Sequence, residues 1–102
     1  MYMGKAVKLI FVGADWAPFN DKLKRLCQEV AVAKGVEFEE KKEDYVFLTK
    51  YGETDELGGA DIPQVFVQFD DGTIKHVLTK VPVVGMNPDF EAARKKLEEA
   101  LA

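Results

Sequence analysis

The segment AVKLIFVGADWAPFNDKLKRLC, residues 6–27, carries the strongest structural signal in this chain. Residues 6–14 form a short apolar run rich in β-branched side chains, which predicts a strand buried on both faces. A proline suits the first turn of a helix, and from Pro18 onward apolar residues recur at helical spacing, namely Phe19, Leu23, Leu26, Cys27 and Val30. A strand, a turn and a helix are therefore predicted in that order, with Gly35 ending the helix.

The middle of the chain continues the alternation of strand and helix. VEFEE, residues 36–40, alternates apolar and acidic side chains and predicts a short strand. EDYVFLTKYG, residues 43–52, predicts a second helix whose buried side carries Tyr45, Leu48 and Tyr51. QVFVQF and TIKHVLTKV are separated by the turn sequence DDG, so they predict a β-hairpin.

The last helix is predicted from its start signals and its apolar stripe. Asn87 is the expected N-cap and Pro88 the expected first helical residue. The apolar residues that follow are spaced for one helix face: Phe90, Ala93, Leu97 and Leu101.

The predicted order is β-α-β-α-β-β-α, within a single domain of residues 1–102. A β-α-β unit is right-handed and makes its two strands parallel, and the hairpin then extends the same sheet. We therefore expect an α/β fold with a central four-stranded mixed sheet flanked by three helices.

Composition excludes several classes of function. The net charge of −4 gives no general basic surface for nucleic acid, and no apolar run approaches the length of a membrane span. The segment MYMGKAVKLIFVG lacks the separate regions of a signal peptide, and a single cysteine closes no internal disulfide. We expect a cytoplasmic protein, a monomer, with no nucleic-acid or membrane partner.

Three segments resemble the thioredoxin superfamily, and within it most closely the small phage-type glutaredoxins, also called phage thioredoxins. APFNDKLKRL is similar to the Cys-x-x-Cys motif and the helix that follows it, with Ala17 and Asn20 at the cysteine positions. FLTKYGETDELGGADIPQVF is similar to the second helix, the loop and the strand opening of glutaredoxins. Gly85 stands where glutaredoxins usually carry Gly-Gly, with Met86 at the second position.

The chain mixes features of the two branches. ADW before the motif resembles thioredoxin, whereas the long amino-terminal strand and helix of thioredoxin are missing, and Phe11 stands in place of its buried aspartate. The minimal glutaredoxin architecture fits better, but the choice of branch stays open.

The resemblance implies a disulfide-reducing lineage in which no catalytic residue is intact. Thiol-disulfide exchange needs an attacking thiolate and a resolving thiol, and Ala17 and Asn20 supply neither. It also implies that Pro63 follows a cis peptide bond, and it implies a substrate-binding surface formed by Trp16, Pro18, Phe19, Ile62, Pro63, Gly85 and Met86. The implied partners are a protein disulfide, a peptide or glutathione; glutathione is the candidate ligand, and no bound cofactor is expected.

Two other side chains have structural interpretations. Cys27 lies about 10 Å beyond Asn20 along a helix, and its spacing from Leu23 and Val30 predicts a buried position, so it does not replace the missing thiols. His76 has no second histidine or cysteine nearby, and no metal site is expected.

Three functions remain open at this point. The chain belongs to a redox enzyme lineage whose cysteines were lost naturally or removed by engineering, including a monothiol site altered only at Ala17. Alternatively, it is a redox-inactive binding module that retains the groove beside Pro63. A structural subunit is the third interpretation, and nothing in the sequence selects it.

Overall fold

Four strands form one mixed sheet in the computed structural model, which describes residues 4–102. The expectation for the amino-terminal segment falls partly on residues 1–3, which lie outside the described residues. The strands are β1 (Ala6–Gly13), β2 (Glu37–Lys42), β3 (Gln64–Phe69), β4 (Ile74–Thr79), β5 (Val83–Val84) and β6 (Asn87–Pro88). The helices are α1 (Asn20–Lys34), α2 (Tyr45–Tyr51) and α3 (Phe90–Ala100).

The sheet has the strand order β2-β1-β3-β4. β1 pairs in parallel with β2 and antiparallel with β3, and β4 is antiparallel to β3. The predicted α/β class, the parallel first pair and the hairpin in the same sheet are confirmed. β1 is an inner strand because it carries the apolar run, and an inner strand is covered by helices on both faces.

Side chains of β1 alternate between two buried clusters. Leu9 and Phe11 enter the cluster beneath α1 and α3, and Ile10 and Val12 enter the cluster beside α2. This alternation is the two-residue period of a β-strand. The first cluster continues through Leu23, Leu26, Cys27, Val30, Ala31, Val65, Leu78, Val81, Ala93 and Leu97, and the second through Ala14, Ala17, Leu48, Ile62 and Phe66.

The helix ends follow local chemistry, with corrections to the predicted starts of the first and last helices. α1 begins at Asn20 with Phe19 as its N-cap, so Pro18 precedes the helix and does not lie in its first turn. Gly35 ends α1 at φ 71°, a left-handed conformation that favours glycine. Asn87 and Pro88 do not start the last helix; they pair with Val83 and Val84 as β6, and the N-cap is Asp89, whose carboxylate accepts a hydrogen bond from Ala92 N–H at 3.0 Å.

The buried side of α2 also differs from the prediction. Tyr45 is exposed, and Phe47 is the aromatic residue that packs edge-on against Phe66, with ring centroids 5.0 Å apart. Leu48 is fully buried, as predicted, and Tyr51 packs against the second cluster. In a helix of 7 residues the spacing of three apolar positions leaves the buried side underdetermined. Among residues 4–102, no helix has the length and apolarity needed to cross a membrane.

Cys27 lies in the first cluster with an exposed fraction of 0%. Burial raises the pKa of its thiol from 9.0 to about 12, because the thiolate loses its hydration. The prediction that Cys27 is part of the core is confirmed.

The buried thiol should make stability depend on alkaline pH. The unfolded chain releases the Cys27 proton near pH 9 and the folded chain only near pH 12, so this residue's contribution to the free energy of unfolding decreases across that window. The decrease is limited to about 1.4 kcal/mol per pH unit. Urea denaturation of the wild type and of Cys27→Ala at pH 7 and pH 10 isolates the contribution of the Cys27 thiol to the free energy of unfolding, since other titrations cancel in the difference. Rapid labelling of the native thiol by a disulfide reagent would contradict the assigned burial.

Candidate functional site

A cavity of about 300 Å³ opens beside the carboxyl end of β1. One wall is the turn that leads into α1, another is the segment that enters β3, and the third follows β4. The lining residues are Trp16, Pro18, Phe19, Ala60, Asp61, Ile62, Pro63, Lys80, Val81 and Val83. We call this cavity the groove.

The groove brings together five of the residues proposed from the sequence: Trp16, Pro18, Phe19, Ile62 and Pro63. Trp16 is 63% exposed, so its indole stands at the rim. The Ile62–Pro63 peptide bond is cis, as the resemblance implied. Gly85 and Met86 do not line the groove; they form the turn between β5 and β6, where Met86 is 96% exposed.

The turn from Ala14 to Asn20 is held by backbone hydrogen bonds and by one side chain. Ala17 N–H donates to Ala14 C=O at 3.0 Å, and Asn20 N–H donates to Ala17 C=O at 3.2 Å. The buried Asn20 Oδ1 accepts a hydrogen bond from Ala14 N–H at 3.0 Å. Gly13 makes this possible, because a Cβ there would collide with Asn20 Oδ1 and with the Phe11 ring.

The two positions assigned to cysteine are both buried. Ala17 is 6% exposed and packs in the second cluster with Ile62, and Asn20 is 4% exposed. Neither side chain lines the groove. An alanine methyl and a carboxamide that is engaged with the backbone offer no nucleophile. The turn therefore supplies shape to the groove and no redox chemistry.

Gln64, the first residue of β3, holds the opposite wall. Its Oε1 accepts a hydrogen bond from Glu53 N–H at 3.0 Å, and its Nε2 donates to the carbonyl groups of Glu53 and Asp61, both at 3.0 Å. Gln64 is completely buried. All three hydrogen bonds restrain the loop that ends at Ile62, so Gln64 positions the loop and the groove wall together.

The Glu53 carboxylate extends this restraint to β4. Thr79 Oγ1 donates to Glu53 Oε1 at 2.5 Å and lies 2.8 Å from His76 Nε2. His76 also packs edge-on against Phe66. Its contacts are those of a structural residue, and within the described ranges no cluster of three or more metal-ligating side chains is present.

Two residues of the groove have left-handed backbone conformations. Phe19 has φ 61° and Lys80 has φ 60°. Side chains other than glycine rarely adopt these angles, which cost about 1 kcal/mol or more per residue. Strained residues of this kind concentrate at binding and catalytic sites. Their coincidence at one cavity is physical support for a binding role.

The sequence reasoning missed half of the lining, namely Ala60, Asp61, Lys80, Val81 and Val83. One signal was present, because the run VPVV at residues 81–84 is apolar although Val83 and Val84 are exposed. The others follow from the tertiary approach of two loops, which no local pattern reveals. Lys80 Nζ and Asp61 Oδ2 lie 3.5 Å apart and are both largely exposed.

Comparison of the chain with protein-family models, with curated proteins and with solved structures gave no match in any of the three.

Asn20→Ala should destabilise the fold. The substitution leaves the buried Ala14 N–H without an acceptor, at a cost of about 1–3 kcal/mol in the free energy of unfolding. Urea denaturation measures the loss. Asp15→Ala is the control, since Asp15 lies in the same turn, is 81% exposed in its side chain and should change stability by less than about 0.5 kcal/mol. Equal stability of the two variants would contradict a stabilising role for the hydrogen bond between Ala14 N–H and Asn20 Oδ1.

Gln64→Leu should destabilise the loop as well as the whole domain. Leucine has a similar volume but leaves three backbone groups unpaired, so we expect a loss of about 2–4 kcal/mol. Hydrogen exchange at the Glu53 amide should accelerate more than exchange in β1. Gln68→Leu is the matched control, because Gln68 lies on the same strand and is half-buried. Unchanged hydrogen exchange at the Glu53 amide would show that the Gln64 hydrogen bonds do not restrain this loop.

Proposed function

We propose that this chain is a thioredoxin-fold protein of the glutaredoxin type that binds an extended apolar protein segment in the groove without redox chemistry. One observation carries the proposal: five residues chosen from the resemblance converge on one cavity, while the two cysteine positions are buried and hold Ala17 and Asn20. The strand order and the three helices are compatible with this fold.

The lining favours an apolar segment over a charged small molecule. Eight of the ten lining residues are apolar, and the two charged ones, Asp61 and Lys80, lie 3.5 Å from each other. Trp16, Phe19 and Val83 are exposed around the opening, although water contact with such side chains is unfavourable. Burial of these side chains by a partner would supply the binding energy.

A direct test uses the only tryptophan of the chain, Trp16, as a reporter. Titration with the peptide acetyl-Gly-Leu-Cys-Val-Phe-Gly-amide should change Trp16 fluorescence and shift amide signals of Ile62 and Val83. Glutathione, titrated in parallel, should bind more weakly than the peptide. It carries two carboxylates, and the one cation that lines the groove, Lys80, is already paired with Asp61.

Two adjacent valines provide the matched variants. Val83 lines the groove and is 60% exposed, whereas Val84 does not line it and is 66% exposed. Val83→Glu should weaken the peptide by about fivefold or more, as expected for loss of about 40 Å² of apolar contact. Val84→Glu should leave the affinity nearly unchanged. Absence of any signal change with the peptide, or equal effects of both variants, would refute the groove as a binding site.

The second candidate is a redox enzyme whose cysteines are missing from this chain. Its support is that Ala17 and Asn20 lie on one turn, joined by the 3.2 Å hydrogen bond from Asn20 N–H to Ala17 C=O, at the start of α1. A thiol at such a place is activated by the helix N-terminus. Ala17→Cys tests this candidate and leaves the hydrogen bond from Ala14 N–H to Asn20 Oδ1 in place. Its thiolate should attack oxidised glutathione, form a mixed disulfide and release one glutathione thiolate; an unreactive thiol would exclude the candidate.

A further inference from the structure

A second cavity, of about 280 Å³, lies between α1 and α3. We call it the basic cavity, because three of its six lining residues are cationic: Lys22, Arg25 and Arg94. Leu26 and Phe90 supply the apolar part of the lining, and Glu29 is its one carboxylate. Three cations around one cavity are notable in a chain whose net charge is −4.

The cations of the basic cavity are only partly neutralised. Arg94 Nη2 donates to Glu29 Oε1 at 2.8 Å. Lys22 Nζ lies 4.7 Å from the centroid of the Phe90 ring, a cation–π contact that holds the ammonium beside the aromatic face. Among residues 4–102, neither Lys22 nor Arg25 has a carboxylate within salt-bridge distance. The cavity therefore retains positive charge that is available to an anionic group.

An aromatic pair separates the basic cavity from the groove. Phe19 lines the groove, Phe90 lines the basic cavity, and their rings meet edge to face with centroids 5.9 Å apart. About two residues of extended chain span that separation. A segment that leaves the groove over this pair therefore comes onto the Phe90 ring, against which the Lys22 ammonium lies in the basic cavity.

We propose that the basic cavity binds carboxylates of the same protein segment that occupies the groove. The partner is then a protein with an extended apolar stretch next to a run of aspartate or glutamate. This inference rests on the proposed function. Arginine presents a planar fork that suits carboxylates, and the aromatic wall shared with the groove favours one continuous chain over a separate small anion.

The test compares two peptides with one apolar core, Gly-Leu-Cys-Val-Phe-Gly. One peptide carries three glutamates on each side of the core and the other carries three glutamines, so that either chain direction presents the acids. In low salt the glutamate peptide should bind about three- to tenfold tighter, because exposed charge pairs add small individual contributions. The preference should vanish near 0.5 M salt, where the screening length falls to about 4 Å.

Paired charge reversals locate the preference. Lys22→Glu with Arg25→Glu should abolish or invert it, with only a small change for the glutamine peptide. Lys5→Glu with Lys75→Glu changes the net charge equally, but these exposed lysines lie near the amino ends of β1 and β4, away from both cavities, so it should retain the preference. If the double charge reversal does not fold, Arg25→Gln alone replaces it. This variant should reduce the preference for the glutamate peptide.

The outcomes separate this inference from the function on which it rests. If both peptides bind equally in low salt, the acidic-segment proposal is wrong and the groove proposal stands. If neither binds, both fail. Inorganic phosphate that shifts the amide signals of Lys22 and Arg25 as far as the glutamate peptide does would show a simple anion site and would overturn the proposal.

Discussion

The fold depends on one strand that is buried on both faces. Side chains of β1 enter two clusters on opposite sides of the sheet, so a shift of one residue would exchange Leu9 and Phe11 with Ile10 and Val12. Both neighbouring strands take their register from β1, since β2 and β3 each pair along it. The position of its carboxyl end, Gly13, relative to the core is thereby fixed. The turn that forms one wall of the groove begins there.

Two buried side-chain amides then hold two walls of the groove in place. Asn20 joins α1 to the backbone at Ala14, and Gln64 joins β3 to the loop at Glu53 and Asp61. Among the described residues, these are the two polar side chains that are buried, and within that range no buried side-chain nitrogen or oxygen lacks a partner. Each amide holds one wall, so the distance between the walls is a property of the core rather than of flexible loops.

Periodicity predicted the sheet and the helices because the spacing of apolar side chains in β1, α1 and α3 follows from their burial. It failed at a helix start, where two neighbouring residues are nearly equally suited to be the N-cap. Asn87 and Asp89 are both good N-caps, and pairing of β5 with β6 selected Asp89. The site was half predicted. Trp16, Phe19 and Ile62 lie in or beside the segments that carry the resemblance, whereas Lys80 and Val83 reach the groove through tertiary contacts. The left-handed conformation of Phe19 has no sequence signal.

The shape of the groove does not require sulfur at positions 17 and 20. Ala17 is buried and joins the cluster that contains Ile62, so its methyl group is part of the core. Asn20 does more than fill space, because its oxygen satisfies a buried N–H that a cysteine sulfur would accept only weakly. Because the walls of the groove rest on such contacts, its shape does not depend on a thiol, and under the proposed function a partner would be selected by apolar area and by the charge beyond Phe90.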